Sequence, residues 1–321
     1  MSNIKENILL LLKPQAIIGL FISIVGIYWA FHDFGIDSFI ETVKLVKYEY
    51  VLLACGLIIF SVWIRAIRWK YLFKPTDGVE TYSLFRYELI GYFGNNVLPL
   101  RLGELLRAYI LGKRYNLSKS YVFGTIVLER ILDTLSLMLL SIILLFIYPL
   151  SAMIKNYIYI GIILSVILII FLIILRQQNL VNTESKILLT ISKFFEGFKN
   201  LEYSKIPSIF FLSISTWLIY WLDVHLIQMA FGFEMLPSHS LLLLIISSLV
   251  MSIPSAPGMI GTFHAGVKYV MVDLFAFSVS DANSFAIILH AYGYISYTII
   301  GAIYFMRSQF HKNAISEVLN K

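Results

Sequence analysis

Two arginines and a glutamate at steps of three residues stand inside an otherwise apolar stretch. Arg101, Glu104 and Arg107 follow Pro99, which suits the first turn of a helix. On that helix the three side chains fall within about 120° of arc, near its N-terminal end. Helix N-termini attract anions and arginine binds phosphate bidentately, so the pattern predicts a phosphate site. A structural Arg–Glu–Arg cluster is the alternative. Two amides also precede the proline, Asn95 and Asn96.

A second charged group opens an apolar helix further along the chain. Glu129 and Asp133 are four residues apart and share a helix face, and Arg130 can reach Asp133. Charged residues at membrane depth usually face the interior of a helix bundle. The group could pair with Arg101 or Arg107, bind a headgroup cation or carry a proton. Internal charge pairing alone is the alternative.

The third group breaks an apolar stretch with prolines and glycines and ends at His264. Proline stops a helix and glycine permits a tight turn or a close backbone approach. His264 could bond a phosphate or titrate near neutral pH, and a buried core histidine is the alternative. The predicted hinge or gating residues of the two broken stretches are Pro99, Pro254, Pro257, Gly258 and Gly261.

The composition predicts an all-α polytopic membrane protein. Of 321 residues, 59% are hydrophobic and 14% charged, whereas soluble domains are roughly half apolar and about a quarter charged. A spanning helix needs about 20 mostly apolar residues. Six runs fit or nearly fit this length: 14–31, 50–69, 121–148, 157–175, 206–231 and 284–306. Arg65, Arg68 and Trp69 end the second run, where snorkelling and an aromatic belt account for them.

The distribution of lysine and arginine predicts the topology. Both ends of 84–111 are basic, whereas both flanks of 241–277 lack basic residues. The positive-inside rule then places both chain termini in the cytoplasm. It also makes these two stretches oppositely oriented re-entrant hairpins of an inverted repeat. A kinked pair of spanning helices is the alternative. We expect one integral membrane domain, 1–321, in the cell (inner or plasma) membrane.

The connection 177–205 is predicted to be a cytoplasmic loop with an interfacial helix. Its apolar residues recur at helical spacing with lysines between them, the pattern of a helix lying on a leaflet. A solvated linker helix is the alternative.

The sequence offers no support for catalysis or cofactor binding. Cys55 is the single cysteine, and the six histidines show no ligand spacing. A Ser-His-Asp signature, a P-loop and a dinucleotide fingerprint are all missing. We therefore expect no metal, no cofactor, no nucleic acid partner and no enzymatic activity.

The three motifs together resemble the membrane domain of the lysylphosphatidylglycerol synthase/flippase family. They read Asn95-Asn96-x-x-Pro99-x-Arg101-x-Gly103-Glu104-x-x-Arg107, Glu129-Arg130-x-x-Asp133 and Pro254-x-x-Pro257-Gly258-x-x-Gly261, with Arg65-x-x-Arg68-Trp69 also fitting. The resemblance covers about residues 15–306 and implies a lipid-translocating domain with re-entrant helices. Bifunctional members carry a separate C-terminal aminoacyltransferase domain, which we expect to be absent. His264 stands near where the family usually has a glutamate, and a cationic lysyl headgroup would favour an acid at that position.

The leading hypothesis is a flippase-like transporter of a phospholipid or a polyprenyl-phosphate-linked lipid. The alternative is a lipid-binding membrane partner subunit of a separate aminoacyl- or glycosyl-transferase. Either form is compatible with a homo-oligomer. The predicted substrate-binding residues are Asn95, Asn96, Arg101, Glu104, Arg107, Glu129, Arg130, Asp133 and His264.

Overall fold

The structure is a computed structural model, and helices make up most of it. It describes residues 35–98, 101–177, 186–199, 201–253 and 255–308, together with the single residues 21, 24, 25, 27, 28 and 32. None of these residues lies in a β-strand. Within these ranges the helices are α1 Ile36–Lys44, α2 Tyr48–Lys70, α3 Thr81–Val97, α4 Gly103–Arg114, α5 Lys119–Ile147, α6 Ala152–Gln177, α7 Lys186–Lys199, α8 Ile206–Ala230, α9 Pro237–Met251, α10 Thr262–Tyr269 and α11 Val279–Arg307.

Five of these helices, α2, α5, α6, α8 and α11, are long and apolar enough to cross a membrane. They coincide with five of the six predicted apolar runs, and the chain is a polytopic all-α membrane protein. The predicted first span, 14–31, lies outside the described residues except at a few positions. Helix α6 exposes large apolar side chains, such as Ile163 and Phe171, as is typical of a helix that faces lipid.

The structure divides into two compact units. The first draws on Met1–Phe60, Leu89–Gly103 and Ile219–Lys321, and the second on Ser61–Glu88 and Glu104–Leu218. Helices α5, α6 and α7 belong wholly to the second unit, and α9, α10 and α11 wholly to the first.

The first predicted break lies between α3 and α4, and its two arms pack backbone to backbone. A Cβ added to Gly103 would collide with the Gly91 carbonyl oxygen and lie 2.6 Å from the Asn95 nitrogen. Glycine at position 103 therefore permits the close contact. The predicted break between two helices is present, and its forming a re-entrant hairpin stays a prediction. Pro99 lies outside the described residues.

One part of the prediction for this segment is wrong. Helix α4 begins at Gly103 and not near Pro99, so Arg101 precedes the helix. Its backbone has a φ of 55°, in the left-handed region. Arg101, Glu104 and Arg107 therefore do not share one helix face, because the first of them belongs to the turn.

The second predicted break joins α9 to α10 through a short 3₁₀ turn at Pro257–Met259. Gly258 and Gly261 have φ values of 67° and 93°, which glycine adopts without steric cost. The two helices pack closely on the far side of the break. A Cβ on Gly266 would lie 2.9 Å from a methyl carbon of Val250. The predicted turn at Gly258 is confirmed, whereas the hinge or gating role of these residues stays a prediction and Pro254 lies outside the described residues.

Helix α7, at Lys186–Lys199, confirms a helix inside the predicted loop and shows what it packs on. Within the second unit, a Cβ on Gly197 would lie 2.8 Å from the backbone nitrogen of Thr125 on α5. A Cβ on Gly124 would collide with the Phe194 carbonyl oxygen. Lys74 donates to Glu196 at 2.6 Å. The helix is docked on α5, so it is not a freely solvated linker. Its lying on the cytoplasmic leaflet stays a prediction.

Candidate functional site

Six charged side chains from four helices form a buried ion cluster in the second unit: Arg65, Arg68, Glu88, Arg107, Glu129 and Asp133. Each of them is at most 8% exposed. Arg65 lies at its centre, bonded to one oxygen of Glu129, to Asp133 at 3.0 Å and to Glu88 at 3.4 Å. Helices α2, α3, α4 and α5 each contribute at least one member.

The other two arginines complete the network. Arg68 pairs with Asp133 at 2.8 Å and donates to the Ser213 hydroxyl at 3.1 Å. Arg107 pairs with Glu88 at 3.1 Å and with the second oxygen of Glu129 at 3.2 Å. Its guanidinium also lies 4.6 Å from the ring centre of Trp69, a favourable cation–π distance.

The buried ion cluster is electrically balanced, because three guanidinium groups face three carboxylates. Buried ions are tolerated when they are paired and hydrogen-bonded, and removing one partner leaves an uncompensated charge. Next to the cluster, Arg130 pairs with Glu104 at 2.8 Å and approaches Asp133 at 3.6 Å. Of the roles left open for the second charged group, the pairing of Glu129 with Arg107 is present, and Arg130 reaches Asp133 as predicted.

The sequence predicts that Arg65 and Arg68 snorkel at the end of the second apolar run, and that interpretation is wrong. Both side chains are buried, at 2% and 0% exposure, and neither snorkels to an interface. Glu88 was not singled out. The available signal was a charged residue within an apolar run, which at membrane depth marks a functional or paired group.

In the first unit, both helix breaks contact one residue of α11, Tyr294. The Asn96 amide donates to the Tyr294 carbonyl at 3.3 Å and to the Thr298 hydroxyl at 2.9 Å. The Tyr294 hydroxyl donates back to the Asn96 carbonyl at 3.4 Å. From the second break, a Cβ on Gly258 would collide with the Tyr294 ring. We call Asn96, Gly258, Tyr294 and Thr298 the Tyr294 junction.

Arg101 also joins the two breaks directly. Its guanidinium donates to the Met251 carbonyl at the end of α9 and lies 4.0 Å from the Met259 sulfur. Nearby in the chain, the Asn95 side-chain oxygen is buried without a hydrogen-bond partner among the described residues. An arginine guanidinium and an amide N–H can both donate to an anionic oxygen, whereas the Asn95 side-chain oxygen itself is an acceptor.

His264 lies in a ring cluster beside the second break. It is 7% exposed, and its ring centre is 4.9 Å from that of His290, which in turn lies 5.5 Å from the Tyr294 ring. The Gly261 backbone N–H donates to its Nδ1 at 3.5 Å. His264 is thus a buried histidine adjoining the Tyr294 junction.

The predicted substrate-binding residues are therefore divided between the units. Arg107, Glu129 and Asp133 join the buried ion cluster, and Glu104 and Arg130 form a pair beside it. Asn95, Asn96, Arg101 and His264 belong to the first unit. Among the described residues, no group of three or more histidine, cysteine, aspartate or glutamate side chains is arranged to hold a metal ion.

These features define the class of protein: a multi-pass helical membrane protein with two broken helices and a buried ionic network. Residues 16–301 match the lysylphosphatidylglycerol synthase TM region family, and the chain belongs to this family. In that family the synthase activity lies in a separate domain.

Relatives with similar sequences are archaeal membrane proteins. A UPF0104 membrane protein of Methanocaldococcus jannaschii is 30% identical over 219 residues, 66% of this chain and 93% of the relative. A second from the same organism is 37% identical over 103 residues, 31% of each chain. A third, from Pyrococcus horikoshii, is 31% identical over 123 residues, 37% of this chain and 36% of the relative. No solved structure matches the chain.

Proposed function

We propose that this protein is a flippase-like transporter that moves a lipid with a phosphate-bearing headgroup, a phospholipid or a polyprenyl-phosphate-linked lipid, across the bilayer. It acts in the cell membrane with both termini in the cytoplasm. The single observation that carries the proposal is the meeting of two helix breaks at Tyr294 within the first unit.

Broken helices inside a membrane need a reason. Their backbone groups are tolerated only where protein or a water-filled cavity satisfies them. In transporters, such breaks come in pairs from repeated halves and mark the substrate site. Here each break contributes residues in the left-handed region, Arg101 to the first and Gly258, Met259 and Gly261 to the second. Their convergence on one tyrosine supports a substrate site that both breaks line.

Arg101 is the phosphate ligand in this proposal. It is the basic residue placed within a break, and its guanidinium already reaches across to the other break at Met251. Asn95 and Asn96 supply amides on the same turn. A phosphate replacing the neutral Met251 carbonyl as acceptor would add the opposite charge, so the hydrogen bond would become an ion pair. The contribution predicted for Glu104 to the phosphate site stays a prediction.

The buried ion cluster has a different role in this account. Its arginines are matched by carboxylates, so a phosphate entering it would leave a carboxylate without its partner. We assign it to holding α2, α3, α4 and α5 together in the second unit. This follows the structural alternative for Arg107, Glu129 and Asp133.

The test is lipid translocation by the purified protein in liposomes. Phosphatidylglycerol, its lysylated form and a polyprenyl-phosphate lipid would each carry a headgroup label. Loss of a charged hydrogen bond costs about 1.5–3 kcal/mol, so Arg101→Ala should slow transport about tenfold to a hundredfold. Arg101→Lys should lose less, because it retains the charge. Arg114→Ala is the matched control, since Arg114 is exposed at the end of α4.

Translocation by Arg101→Ala at the wild-type rate would refute the assignment of the phosphate. No translocation of any of the three lipids by folded wild-type protein would refute the transporter. The partner-subunit alternative would then be tested by adding a candidate soluble transferase and measuring its activity on the bound lipid.

A further inference from the structure

Asp223 lies deep in the spanning helix α8 and is fully buried, at 0% exposure. Neither of its carboxyl oxygens has a hydrogen-bond partner among the described residues. It is seven residues from the end of the helix at Ala230, about 10 Å at 1.5 Å per residue. The other buried acids described above, Glu88, Glu129 and Asp133, are all paired with arginines. Asp223 has no such arginine partner among the described residues. It belongs to none of the three sequence motifs and is not part of the proposed phosphate site.

Among the described residues, no basic side chain pairs with Asp223 or hydrogen-bonds to it. Within the first unit, its titratable neighbours are Tyr292 of α11 and, through Tyr292, Tyr220 of its own helix and Cys55 of α2. The Cys55 thiol donates to the Tyr292 carbonyl at 3.8 Å. Tyr292 lies near the middle of α11, 13 residues from its start and 15 from its end, or about 20 Å from either end.

A buried carboxylate without a partner is very costly, whereas the neutral carboxylic acid costs far less. The described conformation is therefore one that favours Asp223 with its proton bound. A conformation that admitted water to α8 would instead favour the ionised form. A group whose charge states favour different conformations links proton binding to the conformational equilibrium.

We propose that Asp223 is a proton-binding site that couples proton movement to the transport cycle. This inference rests on the proposed function, because the coupled step is lipid translocation. The proton binds the Asp223 carboxylate when it is exposed to water on one side. The neutral acid then returns to the buried state described here and releases the proton when water reaches it from the opposite side. No other ion or cofactor is required, and charge is balanced by the proton itself.

The experiment compares wild type with Asp223→Asn in liposomes with and without a pH gradient. Asparagine has the shape of the protonated acid but binds no proton, so the variant should fold. One proton moved per lipid would support about a tenfold accumulation ratio for each pH unit, or about 1.4 kcal/mol. We expect gradient-driven accumulation in wild type and none in Asp223→Asn, which should still exchange labelled lipid between leaflets without a gradient. Asp273→Asn is the matched control, since Asp273 is exposed.

The contrary results are specific. Accumulation that survives in Asp223→Asn, that ignores the pH gradient or that follows a sodium gradient would overturn the proposal. A second readout covers failure of the proposed function itself, because infrared spectra report a protonated carboxyl group without any transport. If wild type moves no lipid, a carboxylic acid band at neutral pH that is missing in Asp223→Asn supports the proton site alone. The same band found in both proteins, or in neither, overturns it.

Discussion

Replacing Glu129 should lower the free energy of unfolding of the second unit by more than a surface substitution does. One oxygen of Glu129 accepts from Arg65 and, at 3.3 Å, from Arg68, and the other pairs with Arg107 at 3.2 Å. In Glu129→Gln, three guanidinium groups would face two carboxylates, leaving a net charge of +1 in a site that is 0% exposed. Breaking a buried ion pair by removing one partner costs about 3–5 kcal/mol.

The assay is reversible unfolding of the detergent-solubilised protein, followed by helix content. The free energy of unfolding should fall by about 3–5 kcal/mol in Glu129→Gln. Glu104→Gln is the matched control, because Glu104 and Arg130 form a pair that is 19% and 37% exposed, and such pairs contribute about 1 kcal/mol or less. The double variant Glu129→Gln, Arg107→Gln restores charge balance, so its loss should be smaller than the sum of the two single losses.

A loss below about 1 kcal/mol in Glu129→Gln would refute the reasoning, because an exposed pair contributes as much. Strict additivity in the double variant would contradict the role of charge balance even if the single variant were destabilised.

Three further predictions concern close contacts and one ionisable group. Gly124→Ala should destabilise the docking of α7 by about 1–3 kcal/mol, because its Cβ would collide with the Phe194 carbonyl oxygen. Hydrogen exchange of the α7 amides measures this loss. Gly56→Ala is the control, since the space around its Cβ is open, and it should leave the stability unchanged or raise it. Gly103→Ala should abolish lipid translocation while leaving membrane insertion intact, since its Cβ would collide with the arm α3; normal transport would contradict the close contact. Burial alone would raise the pKa of Glu196, but hydrogen bonds from two lysines outweigh it and hold that pKa below the ordinary value of 4.5. Because the pKa is depressed, the ionised form of Glu196 stabilises α7 above pH 4.5, and this stabilisation is lost as the pH falls below that value. Hydrogen exchange of α7 should therefore rise in acid, and Glu196→Gln should remove this rise. An unchanged rise in Glu196→Gln would contradict the role of Glu196.

The spans and the breaks were predictable because their signals are local. Long apolar runs predict spanning helices, and among the described residues five such runs form helices that are long and apolar enough to cross a membrane. The turn at Gly258 follows from a proline beside a glycine. Helix α7 follows from its apolar spacing, although the sequence did not show that it packs on α5 through glycines.

The buried ion cluster was only half predictable, because its pairs join residues that are distant in the chain. Arg65 pairs with Glu129 and Asp133, which are 64 and 68 positions away. A charged residue near the end of an apolar run looks the same in the sequence whether its side chain snorkels or is buried. The difference depends on whether the fold brings oppositely charged side chains next to it. The position of Arg101 was missed for another reason, since its left-handed backbone conformation carries no signal in the residue type.

Comparing two lipids in the same liposomes tests the central claim most directly. One lipid carries a phosphate headgroup and the other a neutral sugar headgroup on matched chains, both labelled. The account predicts that wild-type protein translocates the phosphate lipid, that Arg101→Ala loses this activity and that the sugar lipid crosses no faster than in protein-free liposomes. Equal translocation of both lipids, unaffected by Arg101→Ala, would contradict a transporter that recognises phosphate at the helix breaks.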